Sequence, residues 1–135
     1  MKKRNGFTLL ELLVVISIIA ILIGLSTVSF TTAQKKARNA KRRGDMKAVQ
    51  NAFEQYNSVN GTYNATCDTM ASGSLSAGLP LDPKNVAPLT YAYTCAASTY
   101  CVCANLEAET GNSDSSSCTY SGVGTKSYFC VSNLQ

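Results

Sequence analysis

Six cysteines and a complete lack of histidine bound the chemistry open to this 135-residue chain. Cys67, Cys95, Cys101, Cys103, Cys118 and Cys130 all lie in the last 69 residues, in a small Ser/Thr/Gly-rich region. An even number in such a region predicts disulfides made in an oxidising compartment. Zinc is the competing chemistry, but tetrahedral sites usually show paired C-x2–4-C knuckles, and the only close pair is Cys101-Val102-Cys103. Six cysteines allow 15 complete pairings, and spacing does not choose among them. A second set, Glu107, Glu109, Asn112 and Asp114, offers hard oxygens in one loop, which suits Ca2+. The EF-hand alternation is absent there, and a plain acidic turn accounts for the same composition. No cofactor is expected, with Ca2+ the one candidate ion. Catalysis is not expected either: no nucleophile–base pair is visible and the carboxylates are scattered through loops.

Glu11 is the remaining chemically odd residue. From Phe7 to Leu25 the chain is apolar apart from Thr8, Glu11, Ser17 and Gly24, about a membrane's thickness as helix. A carboxylate near one end of such a segment costs on the order of 2–3 kcal/mol unless shallow, neutralised or paired. Cleavage between Gly6 and Phe7 would create a free amine four residues before Glu11. That ammonium and the carboxylate can pair within one chain or between neighbours, and between neighbours the pair would fix the axial register of packed helices. The alternative is a helix-start acid near the headgroups, favoured by the macrodipole.

These residues need elements to hold them. Met1 to Gly6 is short and basic, which also suits a secretory signal, but the small-x-small match at Thr31-Thr32-Ala33 is weak and late, so the anchor is expected to be retained. After Phe30 the helical pattern continues with Met46, Val49, Phe53 and Tyr56 on one face, and Asn60-Gly61 supplies a stop. A continuous helix over 7–59 would be roughly 80 Å long, too long for a small head to bury, so its first half needs lipid or sister helices. Seven bases between Lys35 and Lys47 stand against Asp45 alone. They form a solvated face, or meet acidic heads of neighbouring subunits, or bind DNA phosphates. From residue 60 onward two bases stand against five acids, a balance of −3. Residues 60–90 read as loop with at most short elements. Thr90–Cys95, Thr99–Leu106 and Lys126–Val131 read as antiparallel strands. On the middle one Cys101 and Cys103 share a face opposite Tyr100, Val102, Ala104 and Leu106, so two bridges can leave one side. The fold class is α+β: a long N-terminal α-helix packed by its C-terminal half on a small antiparallel β-meander head. Four parts follow: a leader 1–6, a transmembrane or filament-core helix 7–33, the basic amphipathic half of that helix 34–59, and a disulfide-stapled head 60–135.

The run Gly6-Phe7-Thr8-Leu9-Leu10-Glu11-Leu12-Leu13-Val14-Val15 behind a basic leader resembles the prepilin motif of type IV pilins and pseudopilins. The resemblance implies cleavage after Gly6 by a prepilin peptidase, N-methylation of Phe7, and for Glu11 the role of the assembly acid at the fifth mature position. Val28 stands where many pilins carry a proline, which calls their usual kink into question here, and Gly24 offers another place to loosen the helix. Ala37 to Tyr63 and Leu79-Pro80-Leu81-Asp82-Pro83-Lys84-Asn85 also resemble pilin and major pseudopilin segments. Major pseudopilins bind calcium in a loop placed like 107–114. The implied role is a type IV pilus-like structural subunit, with a type II secretion pseudopilin as the alternative and a non-polymerising membrane-anchored DNA- or surface-binding module as a third reading. The implied partners are the chain itself as a helical homopolymer, prepilin peptidase, an assembly platform, and the cytoplasmic membrane before assembly, with DNA as a minor one. The implied location is the cytoplasmic membrane as a single-pass protein, then an extracellular filament.

Overall fold

The computed structural model describes residues 6–120 and 124–134, with backbone alone at 25–28. Most of the leader and the side chain of Val28 therefore lie outside the described residues. Five elements follow in chain order: α1 (Leu9–Asn60), α2 (Cys67–Ser72), β1 (Tyr91–Cys95), β2 (Tyr100–Asn105) and β3 (Tyr128–Ser132). The three strands form an antiparallel meander in the order β1-β2-β3, giving the α+β arrangement read from the sequence. Two compact units divide the chain, Met1–Gln34 and Lys35–Gln135.

The first unit is helix from Leu9 onward, and neither Gly24 nor position 28 interrupts it. Every large apolar residue from Phe7 to Ile23 is exposed. A window of this helix is long and apolar enough to cross a membrane, and none of it is buried within the chain.

In the second unit the helix face forecast from spacing becomes a core. Met46, Val49, Ala52 and Phe53 are buried with Tyr100, Val102 and Ala104 of β2 and Val131 of β3, and Tyr56 packs half-buried at the margin. Phe53 and Tyr63 both meet the Tyr100 ring edge-on, with centroids 5.0 and 5.1 Å away, the favoured geometry for aromatic quadrupoles. The helix stops where Gly61 takes a left-handed φ of 73° and its N–H closes on the Asn57 carbonyl at 2.7 Å, a conformation that costs glycine little.

Strand alternation then sends Cys101 and Cys103 to the face of β2 away from the helix. Both bridge there, Cys101 to Cys118 and Cys103 to Cys130, while Cys67 at the start of α2 is joined to Cys95 at the end of β1. Cys103 and Cys130 sit directly opposite in the β2–β3 register. The second face of the sheet is not left to water: Cys103 is fully buried, and the Ser115 and Ser116 carbonyls lie against the Cys130 and Cys101 sulfurs.

The same stapled segment covers the free edge of β3. Asn112 and Ser113 donate their N–H groups to the Tyr128 carbonyl, Tyr128 N–H answers to Ser113, and Gly111 N–H bonds Lys126 O. Beyond the backbone pairing, the Asn112 amide accepts from Cys130 N–H at 2.7 Å and donates to its carbonyl at 2.8 Å, imitating one more rung of ladder. This silences an edge that would otherwise template pairing with another chain. A Cβ at Gly111 would run into the Tyr128 carbonyl. Gly111→Ala is therefore expected to destabilise the head by about 1–3 kcal/mol, as overpacking does, read as a lower thermal midpoint with the three bridges intact.

Candidate functional site

At the helix start Gly6 to Thr8 precede the first turn and are exposed, so the bond between Gly6 and Phe7 lies in unstructured, accessible chain. Thr8 and Glu11 form a reciprocal cap. The Glu11 carboxylate accepts from Thr8 N–H at 2.9 Å and from Thr8 Oγ1 at 2.7 Å, and Glu11 N–H donates to Thr8 Oγ1 at 3.3 Å. This is the T-x-x-E capping box, a signature that Thr8 and Glu11 carry in the sequence itself. The cap places the carboxylate toward the chain start, on the side of Phe7, in an otherwise apolar surface.

The basic half of α1 does something the three sequence readings did not include. Arg38, Arg42 and Arg43 bind acids of the same chain. Arg42 is fully buried and grips Asp82 with Nε and Nη2 at 2.6 and 3.0 Å, while its Nη1 reaches Glu107 at 2.8 Å and Asn39 at 2.9 Å. Arg38 makes a two-pronged contact with Glu107, both arms at 2.7 Å. Arg43 bonds Glu109 at 3.0 Å and lies over the Phe129 ring. Asn39 completes the set, exchanging bonds with the Glu107 backbone and donating to Glu109. Three head acids are thus spent inside the chain, and their availability to a neighbour's helix is reduced accordingly. Lys35, Lys36, Lys41 and Lys47 stay exposed. No sequence period announces such pairs, because the partners lie 40–70 positions apart.

This network positions two loops. Asp82, inside the Leu79 to Asn85 segment, also accepts the N–H groups of Lys84 and Asn85, so Arg42 clamps a prefolded turn. The Arg38 contact, working against burial and helped by Arg42, holds the Glu107 carboxyl well below the usual carboxylate range. Burial pushes Asp82 up, and Arg42 with the two backbone donors more than reverses it, leaving it lowered. On the other side of the core, burial and the Glu54 carboxylate push Tyr63 up to about 12, and burial raises Tyr91, Tyr93 and Tyr100 as well. Glu54 accepts from both Tyr63 and Tyr100 hydroxyls, the latter at 2.6 Å. Both signs follow. Lowered carboxyls stabilise the head above their unfolded pKa near 4, a contribution lost as pH falls below it; raised phenols stabilise it below about 10, a contribution lost as pH climbs beyond. Thermal midpoints are expected to be flat from about pH 5 to 9 and to drop on either side, and Glu107→Gln should flatten the acid limb.

Of the four candidate calcium ligands, Glu107 and Glu109 bond arginines, Asn112 bonds the Cys130 backbone, and Asp114 donates its N–H to the Thr119 carbonyl. Among the described residues the only cluster of three or more metal-capable groups is Cys101, Cys103 and Cys118.

Residues 1–27 match the family described as the prokaryotic N-terminal methylation motif. The type IV wide pilus major component PilA4 of Thermus thermophilus is 32% identical over 105 residues, covering 77% of this chain and 75% of that protein. The type II secretion system core protein G of Vibrio cholerae is 32% identical over 91 residues, 67% of this chain and 58% of that protein, and that of Escherichia coli 39% over 64 residues, 47% and 44%. The chain spans about half the length of the core protein G relatives it matches. No solved structure matches it. An alignment of 105 residues must run past α1 into the head, so the likeness reaches beyond the N-terminal motif to the α+β body, and the chain belongs to the family of type IV pilins and pseudopilins.

Proposed function

We propose that this chain is the structural subunit of a type IV pilus-like extracellular filament, with no catalytic role. A prepilin peptidase cuts after Gly6, Phe7 is N-methylated, and residues 7–33 hold the subunit in the cytoplasmic membrane until an assembly platform drives it into a homopolymer. Residues 34–59 join that helix to the head 60–135. The observation that carries the reading is the exposed apolar surface from Phe7 to Ile23, interrupted only by Thr8, Glu11 and Ser17 and headed by an oriented carboxylate. A helix apolar all round is stable only in lipid or among its own kind. A pseudopilin of a type II secretion system is the second reading, favoured by the core protein G relatives. A DNA-holding module loses ground because Arg38, Arg42 and Arg43 are committed within the chain.

Filaments sheared from cells and analysed by electron microscopy and peptide mass spectrometry test this. Peptides that begin at methylated Phe7, recovered from long filaments, support the pilus. Their recovery only in cells whose protein secretion fails without the chain points to the pseudopilus. Monomer confined to the membrane fraction, with no filament, overturns both.

A further inference from the structure

The two bridges on the far face of β2 are close enough to be one chemical unit. The Cys103 sulfur lies 3.5 Å from that of Cys101 and 3.9 Å from that of Cys118, although it is bonded to neither. The sulfurs of Cys101, Cys103 and Cys118 all fall within 4.8 Å of one another. Cys130 is bonded to Cys103 and directly opposite it in the register, but its sulfur falls outside that group of three, so it joins as a fourth ligand only by turning its side chain once the bridge is open. With zinc–sulfur bonds near 2.3 Å, the edge of a tetrahedral thiolate site is about 3.8 Å. The two non-bonded separations bracket that edge.

Three of the four cysteines stand on paired strands, where backbone hydrogen bonds hold their spacing whether or not the sulfurs are bonded. The fourth, Cys118, is near the Val131 carbonyl. Cys67 and Cys95 form a separate bridge on the α2 side and are not part of the cluster.

We propose that, when the Cys101–Cys118 and Cys103–Cys130 bridges are reduced, the head binds one thiophilic divalent cation, zinc or cadmium, on Cys101, Cys103, Cys118 and Cys130. Each bridge takes two electrons and two protons from a dithiol, which is itself oxidised to a disulfide. The four thiols then release four protons to solvent as the ion binds. The oxidised and metal-bound states exclude each other, because the same sulfurs serve both. In a newly made chain, the ion would hold the four cysteines in their native neighbourhood before oxidation selects among the possible pairings. The proposal does not depend on filament assembly.

The test uses the full chain in detergent micelles, reduced without oxygen, freed of reductant and titrated with Cd2+ or Co2+. One ion per chain is expected, with thiolate-to-cadmium charge-transfer absorption and the visible bands of tetrahedral Co2+. Alkylation of the loaded chain should modify Cys67 and Cys95 and spare the other four. Cys67→Ser with Cys95→Ser should keep the stoichiometry, and Cys101→Ser with Cys118→Ser should weaken binding on the order of 100-fold or more, since two of four ligands are gone. Absence of stoichiometric binding, equal protection of all six cysteines, or equal affinity in both double variants would overturn the proposal. Because protection is read residue by residue in the unsubstituted chain, the outcome stands even where a double variant folds poorly.

Discussion

Replacing Glu11 with alanine is expected to abolish filaments while leaving the chain inserted in the membrane. In the proposed assembly the carboxylate pairs with the Phe7 ammonium of a neighbouring subunit inside an apolar packing of helices. Removing one partner of a buried ion pair leaves the other uncompensated, at about 3–5 kcal/mol, or roughly 150- to 4,000-fold in each subunit's addition. The structure adds a complication that the experiment can use. Glu11 is also half of the Thr8 capping box, so alanine removes a helix cap along with a charge. Caps are worth about 0.5–2 kcal/mol. Glu11→Gln keeps a capping-competent side chain, since glutamine serves at the third helical position, and deletes the charge alone. It should be as defective in assembly as alanine. Thr8→Ala, which weakens the cap and spares the charge, should assemble at a reduced level. Surface filaments counted by microscopy, against membrane-bound subunit measured in the same cells, read all three. Normal filaments from Glu11→Gln would assign the residue to the helix start and remove it from assembly.

Arg42→Met is expected to be the most damaging single change in the head. The guanidinium is fully buried and serves Asp82, Glu107 and Asn39 together. Its loss strands Asp82, itself buried, at about 3–5 kcal/mol. For a domain of this size that is roughly 12–40 °C in the thermal midpoint. Arg38 still serves Glu107, so the damage concentrates on the Leu79 to Asn85 turn. A second substitution, Asp82→Asn, which discharges the stranded acid, should recover part of the loss in the Arg42→Met background, whereas alone in the native background it should be harmful. That opposite sign is the signature of a buried pair, and additive effects would show that the two residues act separately. Near-ultraviolet circular dichroism of the tyrosine cluster against temperature measures it.

Local pattern carried much of this molecule. A helix is visible wherever apolar residues recur at three and four positions, so Met46, Val49 and Phe53 announced the core face and Asn60-Gly61 its end. Alternation on β2 announced that Cys101 and Cys103 share a side, and the run from Phe7 onward announced a surface that no small head can bury. Each of these is a property of near neighbours along the chain, where a period of 3.6 or 2 suffices. Two kinds of fact were not legible. Which cysteine meets which depends on strand register and on how the 111–118 segment folds over the sheet, both set by contacts distant in sequence. The fate of the basic run was likewise hidden: counting charges left it facing solvent, neighbours or phosphates, yet Asp82, Glu107 and Glu109 come back to Arg42, Arg38 and Arg43 across 40 or more residues. Glu107 and Glu109 also read as possible calcium ligands, because composition records that a carboxylate is present and says nothing about which cation reaches it. That choice belongs to packing, since an arginine carried to the buried side of a helix can avoid a heavy desolvation cost only by finding an acid, and the nearest ones are those the folded chain puts there.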